Sequence, residues 1–274
     1  MQFFCYQNGK IILNSEISIS PKNLCFMRGY GVFELFRTYE TTPFYLSEHL
    51  QRLKRGAKML KLNYPEEIET ILNKLFSLNR ENDLVYKIYL SETENEKDEL
   101  LIIAEKLIPP ILDEKSNGIS IILNRNLRVF PEIKTTSYLA AIRALKDAKE
   151  VGASDALYVN EKDELLELTR ANFFCVMDSV IYTPKNDILE GITRKVVIEL
   201  ANELKLPIKT TTIYENQISD FEEAFATSTT KEILPIKKIG PTSLKIGPVT
   251  KKLMIEFRRM IKIDENKLAT TFHF

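Results

Sequence analysis

Histidine is the scarcest chemistry-bearing residue in this 274-residue sequence, with two copies, and tryptophan is absent. With only His49 and His273, a metal site built on several histidines is excluded, and a Ser-His or Cys-His pair would have to use one of the two. His273 is the penultimate residue, in a tail expected to fray. Cys5, Cys25 and Cys175 are odd in number, far apart and never in a CxxC pair. That spacing argues against zinc ribbons, redox dithiols and disulfide frameworks, and for reduced thiols. No metal is expected. An excess of one charge is missing too, since 38 basic side chains balance 38 acidic ones. The chain therefore carries no broad cationic field for nucleic acid or an acidic membrane. No apolar run approaches the about 18 residues of a membrane-spanning helix, and the start, MQFFCYQNGK, lacks a secretory signal pattern. These absences predict a soluble, cytoplasmic protein with neither nucleic acid nor a membrane as its partner.

What is present reads as two α+β domains. The first 20 residues predict a hairpin, FFCYQ and KIILNSEISI turning at Asn8-Gly9, and VFELFRTYE alternates like a strand before a turn at Thr41-Thr42-Pro43 and a short strand, FYL. Ser47 is the expected N-cap of a helix through Leu62, with the apolar stripe Leu50, Leu53, Ala57 and Leu60. A second helix over about 65–78, strand LVYKIYLS, an acid-rich loop over 92–99 and strand LLIIAEKL follow. Ile108-Pro109-Pro110 and the charged run to Asn117-Gly118 mark the domain boundary. This gives a small N-terminal domain over 1–107, a linker over 108–118 and a larger C-terminal domain over 119–274. Beyond the linker the pattern restarts with ISIILN and a helix stopped by Gly152. Hairpin ALYVN-EKDE-LLEL, strand FFCVM, a helix opening at Gly191, strands IKTTTI and EAFATS, and a last helix over about 248–261 complete it.

Four separated features fit the holding of a phosphorylated aldehyde. Lys134 precedes a helix whose start is rich in Thr and Ser, and lysine is the side chain that forms Schiff bases. Gly191-Ile192-Thr193 opens a helix, where N–H groups and the dipole favour an anion. Thr227-Ser228-Thr229-Thr230 follows a strand, and Thr229 with Glu232 has capping-box spacing. Arg52, on the first long helix, is a phosphate partner by chemistry. Each feature alone also has an ordinary reading, as a solvated lysine, a plain cap, a common turn and a surface arginine.

Read in order, these residues resemble the class IV aminotransferases, the pyridoxal-phosphate enzymes of fold type IV. The matching runs are HLQRL at 49–53, KTTSYLAAIRALKDAKEVGASDALYVN from Lys134, ELTRANFF from Glu167, ILEGITRKVVIELA from Ile188 and EAFATSTTKEILPI from Glu223. Order and spacing agree from about Asn8 to Gly240. The resemblance implies a small N-terminal α/β domain, a larger C-terminal pseudo-barrel domain, pyridoxal 5'-phosphate as cofactor, and a homodimer with active sites at the interface. By it, Lys134 matches the Schiff-base lysine and Glu167 the carboxylate that keeps the pyridine nitrogen protonated. Arg52, Ile192, Thr193 and Thr229 match the phosphate cup, and Asn172 supports the loop.

Substrate class turns on two arginines. The Arg-x-His carboxylate trap of the best-known D-amino-acid enzymes is missing from LVYKIYLSETE. The combination of RGYGVF from Arg28 with Thr169-Arg170-x-Asn172 resembles a less common group of D-amino-acid aminotransferases in which two arginines bind the substrate. Planar guanidinium forks suit carboxylates. The expected reaction moves an amino group between D-glutamate or D-alanine and 2-oxoglutarate or pyruvate, with Arg28, Arg170 and Thr230 binding substrate. A branched-chain L-amino-acid aminotransferase and an aminodeoxychorismate lyase are the alternatives. His49 is expected to brace Arg52 or to pack, and Lys237 to be solvated.

Overall fold

The computed structural model describes residues 2–110 and 112–271, so His273 lies outside the described residues. Packing divides the chain into one unit of Met1–Ile108 with Ile133–Tyr138 and a second of Pro109–Glu132 with Leu139–Phe274.

In the first unit, β1 (Phe4–Gln7), β2 (Lys10–Leu13), β3 (Val32–Tyr39), β4 (Thr42–Pro43), β5 (Leu84–Glu92) and β6 (Asp98–Lys106) form an antiparallel sheet in the order β2-β1-β6-β5-β3-β4. Asn8 and Gly9 both take positive φ, 46° and 92°, as a type I′ turn between β1 and β2 requires. After α1 (Leu24–Arg28), α2 (Leu46–Met59) packs on β3 and α3 (Ile68–Leu78) on β1. Leu50, Leu53 and Ala57 of the expected stripe are buried, in one core with Phe36, Leu72, Leu75, Tyr86 and Ile88. Ser47 does not cap α2. The helix starts earlier, after a left-handed Tyr45 (φ 51°), and the Ser47 hydroxyl instead accepts from Gln51 Nε2 at 3.3 Å. The expected turn at 41–43 and strand at 44–46 are displaced: Thr42 and Pro43 pair with β3 as β4, and although Phe44 N still bonds to Arg37 O at 2.9 Å, left-handed Tyr45 (φ 51°) turns the chain into α2.

Residues 133–138 join this first unit although they lie within the second in sequence. Thr135 bridges Val32, Lys134 O accepts from Phe33 N at 2.9 Å, and Thr136 N donates to Gly31 O at 2.9 Å. The backbone around Lys134 thus extends the start of β3.

The second unit holds α4 (Leu112–Asn117), β7 (Ile119–Asn124), α5 (Leu139–Glu150), β8 (Asp155–Val159), β9 (Leu165–Leu168), β10 (Asn172–Met177), β11 (Val180–Thr183), α6 (Ile192–Glu203), β12 (Ile208–Thr210), β13 (Glu223–Ser228), β14 (Glu232–Ile239), β15 (Thr242–Ser243) and α7 (Pro248–Thr271). Strands pair β10-β13-β14-β7-β8-β9, and β9 pairs back to β10, so six strands close into a barrel. Closure leaves those six without a free edge. Alternating apolar residues from all six, such as Ile121, Leu157, Leu165, Phe173, Ala226 and Ile236, share one core. Gly152 (φ 73°) follows the end of α5 as expected. The Glu223 carboxylate accepts from Val249 N (3.1 Å) and Thr250 N (2.7 Å) at the start of α7. Gly247 lies so close that an added Cβ would stand 2.1 Å from Glu223 Oε1.

Cys5 and Cys175 are buried and Cys25 half-buried. Burial raises the Cys5 and Cys175 thiols above their ordinary range, which disfavours the reactive thiolate. Among the described residues, no helix is long and apolar enough to cross a membrane, and no group of three His, Cys, Asp or Glu could hold a metal ion.

Candidate active site

In the first unit, β3 brings Lys134 and Arg52 to consecutive residues. Lys134 bonds through its carbonyl to Phe33 N, and its Nζ lies 4.3 Å from the centre of the Phe33 ring. Phe33 stacks on Tyr89 at 5.7 Å and meets the edge of Tyr138 at 5.6 Å, so Lys134 stands against an aromatic wall. The next residue, Glu34, is fully buried and receives Arg52 Nε at 2.8 Å and a terminal Arg52 nitrogen at 2.7 Å, a two-pronged pair. His49 Nδ1 lies 3.1 Å from Glu34 Oε1 but is not aligned for a hydrogen bond. Burial alone would raise the Glu34 carboxyl; the Arg52 guanidinium and the His49 ring outweigh it and hold the group well below the usual carboxylate range. Burial lowers the His49 imidazole against the pull of Glu34, with Arg52 and Lys134 adding to the lowering. A neutral His49 beside Glu34 is thus a packed brace for the acid that holds Arg52. Arg28 ends α1 with an exposed side chain. Its neighbour Gly29 (φ 67°) packs on the Lys134 segment, where a Cβ would meet Ser137 Cα at 3.3 Å.

In the second unit, three elements converge on Asn172. Its backbone pairs with Glu167 across β9–β10 and with Thr227 on β13. Its side-chain Nδ2 donates to Leu189 O (2.7 Å) and to Glu167 Oε2 (3.2 Å). Its Oδ1 lies against Gly191, the residue before α6, where an alanine Cβ would fall 1.9 Å away. Asn172 therefore fixes the loop, as expected. Glu167 is buried, and besides Asn172 it accepts from Leu189 N (3.2 Å) and from Arg128 (2.5 Å).

Helix α6 opens at Ile192 and Thr193, both buried, with no side chain capping its first N–H groups. Arg194, third in the helix, turns away and ties it down through Thr183 Oγ1 (3.1 Å) and Pro184 O (2.8 Å). Thr229 and Thr230 lie in the β13–β14 hairpin turn. The capping-box reading of Thr229 with Glu232 is corrected, because Ser228 pairs directly with Glu232 and the chain reverses as a hairpin without starting a helix. Glu232 (φ 60°) instead spends its buried carboxylate on Lys115 (3.3 Å) and Arg258 (2.7 Å). Arg170 is exposed in the turn after β9, and Lys237 is exposed as expected.

A family model for Amino-transferase class IV matches residues 31–239, well over half of the chain. The chain is a class IV aminotransferase. It is 29% identical to an aminodeoxychorismate lyase of Bacillus subtilis over 94% of both chains. It is also 30% identical to a putative branched-chain-amino-acid aminotransferase of Methanocaldococcus jannaschii, over 92% of this chain and 94% of the other. With a D-alanine aminotransferase of Staphylococcus haemolyticus it shares 26% identity over 93% of this chain and 96% of the other. Among solved structures, the branched-chain aminotransferase of Thermoproteus uzoniensis, with norvaline, superposes with a TM-score of 0.89 at 27% identity over 97% of each chain.

Class IV aminotransferases depend on pyridoxal phosphate, and the residues of this aminotransferase fit that cofactor. The uncapped start of α6 offers N–H groups to a phosphate. The Thr227 hydroxyl, two residues before Thr229, is buried without a hydrogen-bond partner. Glu167 is a buried carboxylate suited to a protonated ring nitrogen. The sequence reading missed Phe33, Glu34, Tyr89, Arg128 and Tyr138. Glu34 had a signal, since an acid in an apolar strand next to Phe33 needs a buried partner. Gly191→Ala is expected to cost about 1–3 kcal/mol of stability, as overpacking does, and to weaken cofactor uptake at least severalfold. Thermal melts and cofactor titration check both.

Proposed function

We propose that this aminotransferase moves an amino group between D-amino acids, D-glutamate and D-alanine, and the oxo acids 2-oxoglutarate and pyruvate. Pyridoxal phosphate, when bound, supplies an electron sink for the carbanion at the substrate Cα and carries the amino group between the two substrates. Lys134 would hold it through its side-chain amine, and that amine would move the proton to and from the substrate Cα. Glu167 holds the proton on the ring nitrogen. The N–H groups of Ile192 and Thr193, with Thr229 and Arg52, hold the phosphate. Arg28, Arg170 and Thr230 bind substrate. The active enzyme is a homodimer.

The observation that carries the substrate reading is the setting of the two arginines. Arg28 is exposed at the turn that Gly29 packs onto the Lys134 segment, and Arg170 is exposed three residues after Glu167. Two guanidiniums beside these functional segments favour an acid-bearing substrate. The Phe33–Tyr89–Tyr138 wall beside Lys134 supports a second reading, a branched-chain L-amino-acid aminotransferase. Spectral half-reactions with single amino acids test the two. D-glutamate or D-alanine is expected to convert the yellow enzyme to its amine form. Conversion by L-leucine with none by the D-amino acids rejects the first reading for the second. Release of pyruvate from aminodeoxychorismate without an amino acceptor identifies a lyase.

A further inference from the structure

Arg128 reaches Glu167 in a direct ion pair, and the Arg194 guanidinium also acts on that acid electrostatically. It comes from the 125–132 stretch after β7, whose neighbouring apolar side chains Leu127, Val129 and Phe130 are exposed. The Arg128 side chain turns inward, is only 11% exposed, and places a terminal guanidinium nitrogen 2.5 Å from Glu167 Oε1. The other oxygen, Oε2, takes Leu189 N and Asn172 Nδ2, both at 3.2 Å. Each oxygen of the acid is therefore held, one by a cation and one by two neutral donors. Arg128 and Glu167 also share the lining of a cavity of about 380 Å³ with Tyr158, Leu166, Lys162 and Asp187. Donors fixed on both oxygens orient the carboxylate, and a guanidinium at hydrogen-bond distance favours its charged form.

We propose that Arg128 is a positioning residue that keeps Glu167 charged and aimed, so that the proton shared by Glu167 and the cofactor's ring nitrogen stays on the nitrogen. The proposal rests on the reading that Glu167 faces that nitrogen. With Arg128 neutralised, Glu167 becomes more basic and competes for the proton. The ring then withdraws fewer electrons, and proton removal at the substrate Cα slows while substrate still binds.

The test is a double-substitution cycle on the holoenzyme with R128Q, E167Q and the pair, read by the nitrogen NMR signal of ring-labelled cofactor and by kcat and KM separately. R128Q is expected to move the nitrogen signal toward the unprotonated form. It should also lower kcat by about tenfold to a hundredfold, the range in which outer partners of functional groups act, with KM changed less than about threefold. In an E167Q background, adding R128Q should cost almost nothing further, because the arginine works through the acid. R128K keeps the charge without the planar fork, so it should retain nitrogen protonation and recover part of kcat. If R128Q folds poorly, R128M carries the test in its place, and a folded R128M enzyme with native kcat and native nitrogen signal overturns the proposal. Additive losses in the pair, or an R128Q enzyme with the native nitrogen signal while E167Q shifts it, likewise overturn the role of Arg128 alone. An E167Q enzyme with the native signal and native kcat overturns the reading of Glu167, and the proposal with it.

Discussion

Replacing Lys134 with alanine is expected to remove the visible band of the cofactor-loaded enzyme and to lower turnover by at least about 10²–10⁴-fold, the contribution of a positioned acid–base group. On the proposed reading, one amine both attaches the cofactor and moves the proton at the substrate Cα, so a single truncation removes both. The fold should survive it. The segment is anchored by backbone groups, Lys134 O to Phe33 N and Thr136 N to Gly31 O, which alanine leaves in place. Absorption spectra and half-reaction rates of a protein with native melting behaviour check this. A yellow, active Lys134→Ala enzyme would assign the chemistry to another lysine.

The second large effect is expected from Glu34→Ala. Arg52 and Glu34 are 6% and 0% exposed, and removing the acid leaves a guanidinium without its two-pronged partner. Breaking a buried pair in this way costs about 3–5 kcal/mol. Urea unfolding measures the loss, and cofactor titration should show weaker uptake, because Arg52 no longer has a fixed orientation.

The same cluster sets the acid side of the stability profile. Glu34 is held below its ordinary value of 4.5, so its stabilisation is complete above that value and is lost as pH falls through the lower folded value. His49 is held below its ordinary value of 6.5, so below 6.5 the unfolded chain takes up a proton that the folded chain refuses. Both signs agree: stability should fall from 6.5 downward, and more steeply below 4.5. Glu34→Gln should flatten the lower limb and, by removing the charge that pulls His49 upward, carry the His49 limb to lower pH. Unfolding curves at a series of pH values from neutral to mildly acid check it.

Much of this was legible in the sequence because it is local. Asn8-Gly9 needs two positive φ angles, Gly152 follows a helix end, and the runs around Glu167, Gly191 and Thr229 lie at turns whose chemistry is written in adjacent residues. What was hidden is pairing across distance. Glu34 and Arg52 meet only once α2 lies on β3, and Arg128 and Glu167 are separated by 39 positions until the barrel brings them together. Ser47 was misread for a similar reason, since a left-handed Tyr45 can start a helix where propensity alone favours serine.

The placement of 133–138 makes Ile108–Pro109–Pro110 an incomplete seam. The chain leaves the first unit after 108, returns for six residues, and leaves again after 138. A fragment ending at 108 would hold the whole small sheet and yet lack both the lysine and the strand-like partner of Val32. Cutting the backbone at 108 would therefore leave two pieces still stitched by the hydrogen bonds of residues 134–136 to residues 29–33. This chain should tolerate a nick there, and co-expressed halves should reassemble more readily than two domains joined by one crossing.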